Sequence, residues 1–343
     1  MDLGIDFGTS YVTICAPGKG VLLHEPSVIA LNSETGHIVA CGREANEMRG
    51  RAPESIQVIC PLDKGVIADY EAAELLLRHY VGKVCSYRIV KPRAVVAVPL
   101  FATEVERRSL LEAVSAAGMR RVTLLEGVLA AAIGAGLPVG EPHGSLVVNL
   151  GGGATESAVV SLMGVASTVS LQQGGNALND AIIRYLRSVH AVIVGDLQAE
   201  RLKQTVGSVL PFEGENTCTV SGRQALSGLP VTVTVTAEEL RPVICREVDE
   251  WLRRIGHMME QTPPDLLSDV YADGITLTGG GALLHGLAPY AAERLNAPCR
   301  IAPQPDTCVG LGAAAAVQYI DKLRSDEFDV SAFSYHLSEK IIN

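Results

Sequence analysis

The sequence has few charged and few aromatic residues, and it lacks a long hydrophobic run. Charged residues make up 19% and aromatic residues 4% of the 343 residues, whereas 48% are hydrophobic. This composition excludes a disordered or collagen-like chain and can form one large or two medium domains. The longest apolar stretches, near 128–139 and 309–317, are interrupted by glycine or proline and are shorter than the ~20 residues of a membrane span. We therefore expect a soluble protein.

The sequence also lacks the patterns of several kinds of binding site. The 28 Lys and Arg residues and 38 Asp and Glu residues give a net charge of −10, and no basic run is present, so we expect no nucleic-acid partner. The cysteines form no CxxC pair and the histidines no HxxxH pair, which argues against a disulfide framework and against a zinc site. Met1–Asp6 lacks the regions of a secretory signal, so we expect a cytoplasmic location.

What the sequence does contain is a repeated pattern of apolar strand, glycine turn and apolar strand. Strands at 3–5 and 12–15 flank the turn Asp6–Tyr11, and strands at 146–150 and 157–160 flank Gly151–Glu156. Glycine turns at strand ends allow backbone N–H groups to converge on an anion, because no Cβ blocks close approach. A single triple-glycine turn is more often structural, but the repetition indicates two halves related by duplication.

Helix signals and further strands fill the rest of the chain. Asn179 is expected to cap an amphipathic helix, and Pro242 is expected to kink the helix that contains it or to delay its start. Two capping boxes predict helix starts, namely Thr103 with Glu106 before 105–117 and Thr236 with Glu239 before a helix to about Met259. The other predicted elements are strands at 94–98, 122–125 and 275–278, a hairpin of 217–220 with 231–235, and helices at 129–133 and 283–287.

These motifs occur in an order that resembles the MreB family of actin-like ATPases over nearly the whole chain. The matching stretches are 4–9 (GIDFGT), 25–28 (EPSV), 63–69 (DKGVIAD), 103–108 (TEVERR), 130–138, 151–156 (GGGATE), 262–264 (TPP) and 277–284 (LTGGGALL). The resemblance implies an α/β, actin-like ATPase fold with two lobes. Each lobe would contain a ribonuclease-H-like mixed sheet flanked by helices, with small inserted subdomains.

The resemblance also implies domain limits, ligands and a role. Lobe I would span 1–145 with a small subdomain at about 30–65, and lobe II 146–320 with one at about 180–238. A C-terminal tail would span 321–343. The lobes would close on ATP and Mg²⁺, and protomers would stack into filaments involved in cell-shape determination and cell-wall morphogenesis. Expected partners are the protein itself, an active paralogue, cell-wall synthesis membrane proteins and a membrane surface.

Site residues follow from the same resemblance. Asp6 is similar to a catalytic residue that binds Mg²⁺ through water, although it could simply cap its turn. Glu200 and Lys203 are similar to the pair that holds the ribose and base, although a solvated ion pair is the commoner outcome of this spacing. The remaining nucleotide-binding positions are Gly8, Thr9, Ser10, Tyr11, Asn149, Gly151, Gly152, Gly153, Ala154, Thr155, Gly279, Gly280, Gly281 and Ala282.

The chain departs from the family at three positions that bear on hydrolysis. Asn149 replaces the Asp that ends the strand before the second turn, and Ala154 replaces a Thr after it. Gly127 replaces the second Glu of a Glu-Glu-Pro sequence, a residue placed to position the attacking water. Loss of such a group typically costs a factor of ~10² to ~10⁴ in rate. We expect nucleotide binding with weak or absent hydrolysis, unless Glu126 takes the vacant role.

A further expectation concerns the loop 88–93, where Ile89 and Val90 resemble an apolar pair that contacts the membrane. These residues could equally begin the next strand.

Other classes of protein remain as alternatives. A sugar or acyl kinase would need a catalytic Asp near Asn149. A chaperone-like switch would need a substrate domain after the lobes. An actin-like adaptor of pilus or division machinery would need a rearranged small subdomain. The fragments Gly134–Gly136 and Gly310–Gly312 lack the full dinucleotide fingerprint.

Overall fold

The computed structural model describes residues 2–85 and 91–319. Within these ranges the chain forms eighteen strands and ten α-helices. The strands are β1 Leu3–Phe7, β2 Tyr11–Ala16, β3 Gly20–Pro26, β4 Ile29–Asn32, β5 Ile38–Cys41, β6 Ile56–Ile59, β7 Leu62–Asp63, β8 Val66–Ile67, β9 Arg93–Val98, β10 Arg121–Glu126, β11 Ser145–Leu150, β12 Thr155–Ser161, β13 Gly164–Leu171, β14 Val192–Ile193, β15 Thr217–Gln224, β16 Pro230–Thr236, β17 Ile275–Thr278 and β18 Cys299–Ile301. The helices are α1 Arg43–Glu47, α2 Tyr70–Val84, α3 Glu104–Ala116, α4 Gly127–Gly134, α5 Gly175–Val189, α6 Asp196–Val206, α7 Ala237–Glu260, α8 Pro264–Asp273, α9 Leu287–Leu295 and α10 Cys308–Ala316.

Two five-stranded sheets share one topology. The first has the order β3-β2-β1-β9-β10 and the second β13-β12-β11-β17-β18. In each sheet the first three strands pair antiparallel, and the last two are added in parallel. Parallel neighbours need crossover helices, whereas antiparallel neighbours need only turns. The predicted α/β fold with two duplicated mixed sheets is therefore confirmed.

Smaller sheets lie in two insertions. β5, β4 and β6 form one three-stranded sheet, β14, β15 and β16 form another, and β7 pairs with β8. The first two lie largely within the segments predicted as small subdomains. The exact division at 1–145, 146–320 and 321–343 stays a prediction, and the segment from 320 onward lies outside the described residues.

Helices α4 and α10 join the two large sheets. Each uses glycine for close approach: a Cβ at Gly134 would lie 1.9 Å from the carbonyl oxygen of Cys308, and one at Gly312 would lie 1.8 Å from that of Ala130. Their shared core includes Val95 of the first sheet and Val147 of the second. Although α10 is late in the sequence, it packs on β1 as well as on α4. The relative position of the sheets therefore depends on this helix pair.

Two local predictions were wrong. Asn179 does not cap a helix: α5 begins at Gly175, and Asn179 is buried inside it. The predicted helix at 283–287 is broken, because a 3₁₀ turn over Gly280–Leu283 ends before α9 begins, and Gly286 between them has φ 78°. Both errors come from tertiary contacts that residue patterns do not record.

The predicted capping boxes are both present, with reciprocal hydrogen bonds at Thr103 and Glu106 and at Thr236 and Glu239. Pro242 lies inside α7 but does not delay its start at Ala237. No helix in the described part of the chain is long and apolar enough to cross a membrane.

Candidate functional site

The two large sheets present two turns with the same closure. At the end of β1, the amide of Gly8 donates to the carbonyl of Tyr11 over 3.0 Å. At the end of β11, the amide of Gly151 donates to the carbonyl of Ala154 over 2.9 Å. The predicted repetition of the glycine turns therefore extends to their hydrogen bonds.

These turns lie against each other. A Cβ at Gly152 would lie 1.9 Å from Ser10 Oγ, and one at Gly153 would lie 2.4 Å from Thr9 Oγ1. Thr9 Oγ1 also accepts a hydrogen bond of 2.8 Å from the amide of Gly65. Glycine is required here because a side chain would separate the two turns.

Four backbone amides of the turns are available to a ligand. The N–H groups of Thr9, Ser10, Gly152 and Gly153 donate to no acceptor within residues 2–85 and 91–319. Converging N–H groups form an anion-binding concavity, and unpaired amides are costly unless water or a ligand satisfies them. The pair of turns therefore fits a polyphosphate held from both sides.

Three other predicted residues adjoin the turns. Tyr11 is exposed and its ring stacks on His24 at a centroid distance of 4.6 Å. Thr155 is buried, and its hydroxyl has no partner among the described residues. Asn149 Oδ1 lies 3.4 Å from the hydroxyl of Thr278. Asn149 thus presents a polar oxygen to this region but no charge.

Glu200 and Lys203, both on α6, form an ion pair beside the start of α5. Lys203 Nζ donates to Glu200 Oε2 over 2.7 Å and to the carbonyl of Gly175 over 2.9 Å. Asn179 Nδ2 and Gln204 Nε2 each donate to Glu200 over 2.8 Å. Burial alone would raise the pKa of Glu200, but the Lys203 charge and these hydrogen bonds outweigh it and lower the pKa. The pair is a partly buried network rather than a solvated surface pair.

That network connects directly to the second turn. The amides of Gly175 and Asn176 donate to the carbonyls of Gly151 and Gly152 over 2.9 and 2.8 Å. Lys203 therefore lies next to the turn, where its charge favours an anionic ligand.

The predicted adenosine motif also adjoins the second turn. Gly279 has φ 80°, and a Cβ there would lie 2.4 Å from the carbonyl oxygen of Leu150. Gly281 packs on the same residue, whereas Gly280 is exposed with open space around its Cα. The buried Ala282 ends the motif. Gly280 therefore leaves open space next to a segment that packs on Leu150 at the second turn.

Asp6 is the predicted magnesium residue. Its carboxylate has no hydrogen bond to any described residue, and desolvation raises its pKa to about 7. A nearby divalent cation would favour the charged form. No group of three or more His, Cys, Asp and Glu side chains within the described ranges is arranged to hold a metal ion. Asp6 therefore suits Mg²⁺ bound through water and phosphate oxygens, as this ion prefers.

Glu156 is a functional candidate to which the sequence analysis assigned no role. It lies directly opposite Asn149 in the β11–β12 pair and is only 4% exposed. Desolvation is the largest cause of its raised pKa of about 7; the neighbouring charges of Glu126 and Asp6 add to it, and hydrogen bonds oppose it. The available signal was a single acidic residue inside the apolar strand β12. The charges of Glu126 and Asp6 are thus close enough to Glu156 to raise its pKa.

Glu126, the predicted substitute catalytic residue, lies at the N-terminus of α4 and makes no side-chain capping bond. Burial raises its pKa and the charge of Arg107 opposes that shift.

Ile89 and Val90, the residues of the membrane prediction, lie outside the described residues.

A hydrogen bond and an ion pair join the part of the chain that carries the first large sheet to the part that carries the second. Glu156 Oε1 accepts a 2.7 Å hydrogen bond from the amide of Leu100, which follows β9. Arg49 and Asp196, from the two insertions, form an ion pair of 2.8 Å. The second contact is exposed and contributes little to stability, whereas the first is partly buried.

The raised pKa of Glu156 predicts a pH-dependent effect of Glu156→Gln on stability. Between the unfolded pKa of 4.5 and the folded pKa of about 7, the folded state holds a proton that the unfolded state has lost. The contribution of Glu156 to the free energy of unfolding is therefore most favourable at low pH and becomes less favourable as the pH rises. We expect the substitution to raise the melting temperature of nucleotide-free protein more at pH 8 than at pH 5. Glu34→Gln, in an exposed loop, is the control; equal gains at both pH values would contradict the prediction.

Comparisons with known proteins agree with this geometry. The MreB/Mbl protein family model matches residues 1–325. Cell shape-determining protein MreB of Escherichia coli (strain K12) is 40% identical over 333 residues, 95% of this chain and 96% of its own length. Cell shape-determining protein Mbl of Bacillus subtilis (strain 168) is 38% identical over 323 residues, covering 94% and 97%.

Solved structures give the same result. The crystal structure of MreB5 of Spiroplasma citri bound to ADP has a TM-score of 0.88 and 32% identity, with 93% of this chain and 97% of that chain covered. The same protein bound to AMPPNP gives a TM-score of 0.87 at 32% identity, covering 93% and 96%. The MamK double helical filament has a TM-score of 0.80 at 21% identity, covering 92% and 98%, which supports the fold alone.

Proposed function

The chain belongs to the MreB/Mbl family, and on that premise we propose that it is an ATP-binding, filament-forming cytoskeletal protein that acts in cell-shape determination and cell-wall morphogenesis. One observation carries the nucleotide assignment: the facing turns present the unpaired amides of Thr9, Ser10, Gly152 and Gly153. Relatives are named for cell shape, and solved MreB5 structures carry ADP and AMPPNP.

Residues of this chain suit each part of the ligand. The turns would hold the phosphates, and Asp6 would bind Mg²⁺ through water. Glu200 and Lys203 would contact the ribose, and Gly279–Ala282 would contact the base. Bound Mg²⁺ would neutralise phosphate charge.

We further propose that ATP hydrolysis is weakened. Gly127 supplies no carboxylate, Asn149 supplies no charge and Ala154 supplies no hydroxyl. These changes affect chemistry rather than the shape of the turns, which is retained. Filaments that hydrolyse ATP slowly would be long-lived, or would modulate an active paralogue and act with cell-wall synthesis proteins of the membrane. The kinase alternative lacks its acid at Asn149, and the family match over residues 1–325 disfavours it.

Electron microscopy of the purified protein with ATP, with ADP and without nucleotide tests assembly. Phosphate release in the same samples tests hydrolysis. We expect ATP-dependent filaments and phosphate release far slower than that of an ordinary bacterial actin. Failure to bind ATP would contradict the nucleotide assignment, and turnover at the ordinary rate would contradict the weakened hydrolysis.

We propose a cytoplasmic location and, separately, contact with a membrane surface, which is supported by the apolar pair Ile89 and Val90 between basic residues in the segment 88–93. Replacing both residues with serine should reduce co-sedimentation with anionic liposomes, because the segment would lose its apolar side chains while keeping its charge. Unchanged co-sedimentation would contradict the proposed membrane contact.

A further inference from the structure

Gly127 stands where the family has a catalytic carboxylate, and the side chain of Glu156 lies beside this position. Gly127 is the first residue of α4 and is buried. A Cβ built there would lie 3.5 Å from Glu156 Oε2. Glu156 comes from β12, in the second sheet, whereas α4 follows β10 of the first. A carboxylate from the second sheet therefore lies beside position 127, where the family has a carboxylate that belongs to the helix.

The two oxygens of Glu156 have different environments. Oε1 accepts hydrogen bonds from the amide of Leu100 at 2.7 Å and from the hydroxyl of Ser170 at 3.3 Å. Oε2 accepts none from the described residues. Because Oε1 is fixed on both sides of the cleft, the position of Oε2 is fixed as well. An unpaired oxygen on a side chain only 4% exposed is an acceptor for a hydrogen bond from a water molecule near Gly127.

The other nearby carboxylates are less suited to this role. Glu126 makes no hydrogen bond that would fix its side chain, and the charge of Arg107 acts on it. Asp6 lies on the first sheet, where it is suited to bind a hydrated cation. Glu156 is the carboxylate that is both held in place and has an available oxygen.

We propose that Oε2 of Glu156 replaces the missing carboxylate and orients the water that attacks bound ATP in the residual hydrolysis. This inference rests on the proposed nucleotide-binding function. The water oxygen bonds to the terminal phosphorus as the bond from that phosphorus to the β–γ bridging oxygen breaks. One proton of the water passes to Oε2 and then to solvent, and the products are ADP and inorganic phosphate.

The first test compares wild type and Glu156→Gln in single-turnover phosphate release. Glutamine keeps an acceptor for the Leu100 amide but cannot accept a proton, so release should fall by a factor of ~10² to ~10⁴. The affinity of Glu156→Gln for AMPPNP, measured by titration, should stay within about threefold of that of wild type. Wild type should bind ADP with aluminium fluoride more tightly than AMPPNP, and Glu156→Gln should lose this difference. Glu34→Gln controls for removal of a carboxylate elsewhere.

The second test moves the carboxylate back to the helix. In the double variant Glu156→Gln with Gly127→Glu, phosphate release should recover relative to Glu156→Gln alone, which a purely structural role of Glu156 would not produce. Unchanged release in Glu156→Gln, no recovery in the double variant, or wild-type release no faster than spontaneous ATP hydrolysis would each overturn the inference. AMPPNP binding and filament assembly report on the proposed function separately.

Discussion

Replacing Gly153 with alanine should weaken ATP binding by about 100-fold, because the two turns could no longer meet around the phosphates. A Cβ at this position would lie 2.4 Å from Thr9 Oγ1 and 2.9 Å from both the amide nitrogen of Gly65 and the Cα of Lys64. Backbone atoms of another loop would have to move. Loss of two hydrogen bonds to charged phosphate oxygens, at about 1.5 kcal/mol each, gives this factor.

Titration with a fluorescent ATP analogue measures the effect. Gly82→Ala is the matched control, since a Cβ at Gly82 in α2 meets nothing within 4 Å. Its affinity should equal that of wild type. Wild-type affinity in Gly153→Ala would mean that the close contact of the turns is not needed for binding.

Replacing Gly312 with valine should destabilise the whole protein by about 3 kcal/mol, since overpacking a close helix contact costs this much. A Cβ at Gly312 would lie 1.8 Å from the carbonyl oxygen of Ala130 and 2.8 Å from the amide nitrogen of Gly134. Both neighbours are backbone atoms of α4, so the helices must separate. Their common core with the two sheets would then open.

Chemical denaturation of nucleotide-free protein checks this prediction. Gly82→Ala again serves as the control and should stabilise α2 by about 0.5–1 kcal/mol, because glycine is a poor residue for a helix interior. An unfolding free energy of Gly312→Val within error of wild type would show that α4 and α10 can repack without loss.

The fold could be predicted from sequence to the level of its duplicated sheets, because glycine turns and apolar strands leave local signals. The closures at Gly8 and Gly151 follow from such signals. The return of α10 to β1 could not be predicted, since it depends on contacts between distant segments. Asn179 was misassigned for the same reason: the amides at the start of α5 are satisfied by the carbonyls of the second turn, so no side-chain cap is needed.

The candidate site was predicted through ordered motifs rather than through the chemistry of single residues. Glu200 and Lys203 alone suggested a solvated pair, and only the fold shows the hydrogen bond from Lys203 to the carbonyl of Gly175 beside the second turn. Glu156 received no role, because its significance depends on its proximity to Gly127 and on the amide of Leu100, both in other parts of the chain. Residues whose function arises from contacts across the cleft are the ones that sequence patterns miss.

The most direct test of the account is a structure of the protein determined with AMPPNP and Mg²⁺. The account predicts that phosphate oxygens lie within about 3 Å of amides from both turns, at Thr9 or Ser10 on one side and at Gly152 or Gly153 on the other. A nucleotide bound elsewhere, or one whose phosphates contact a single turn, would contradict it.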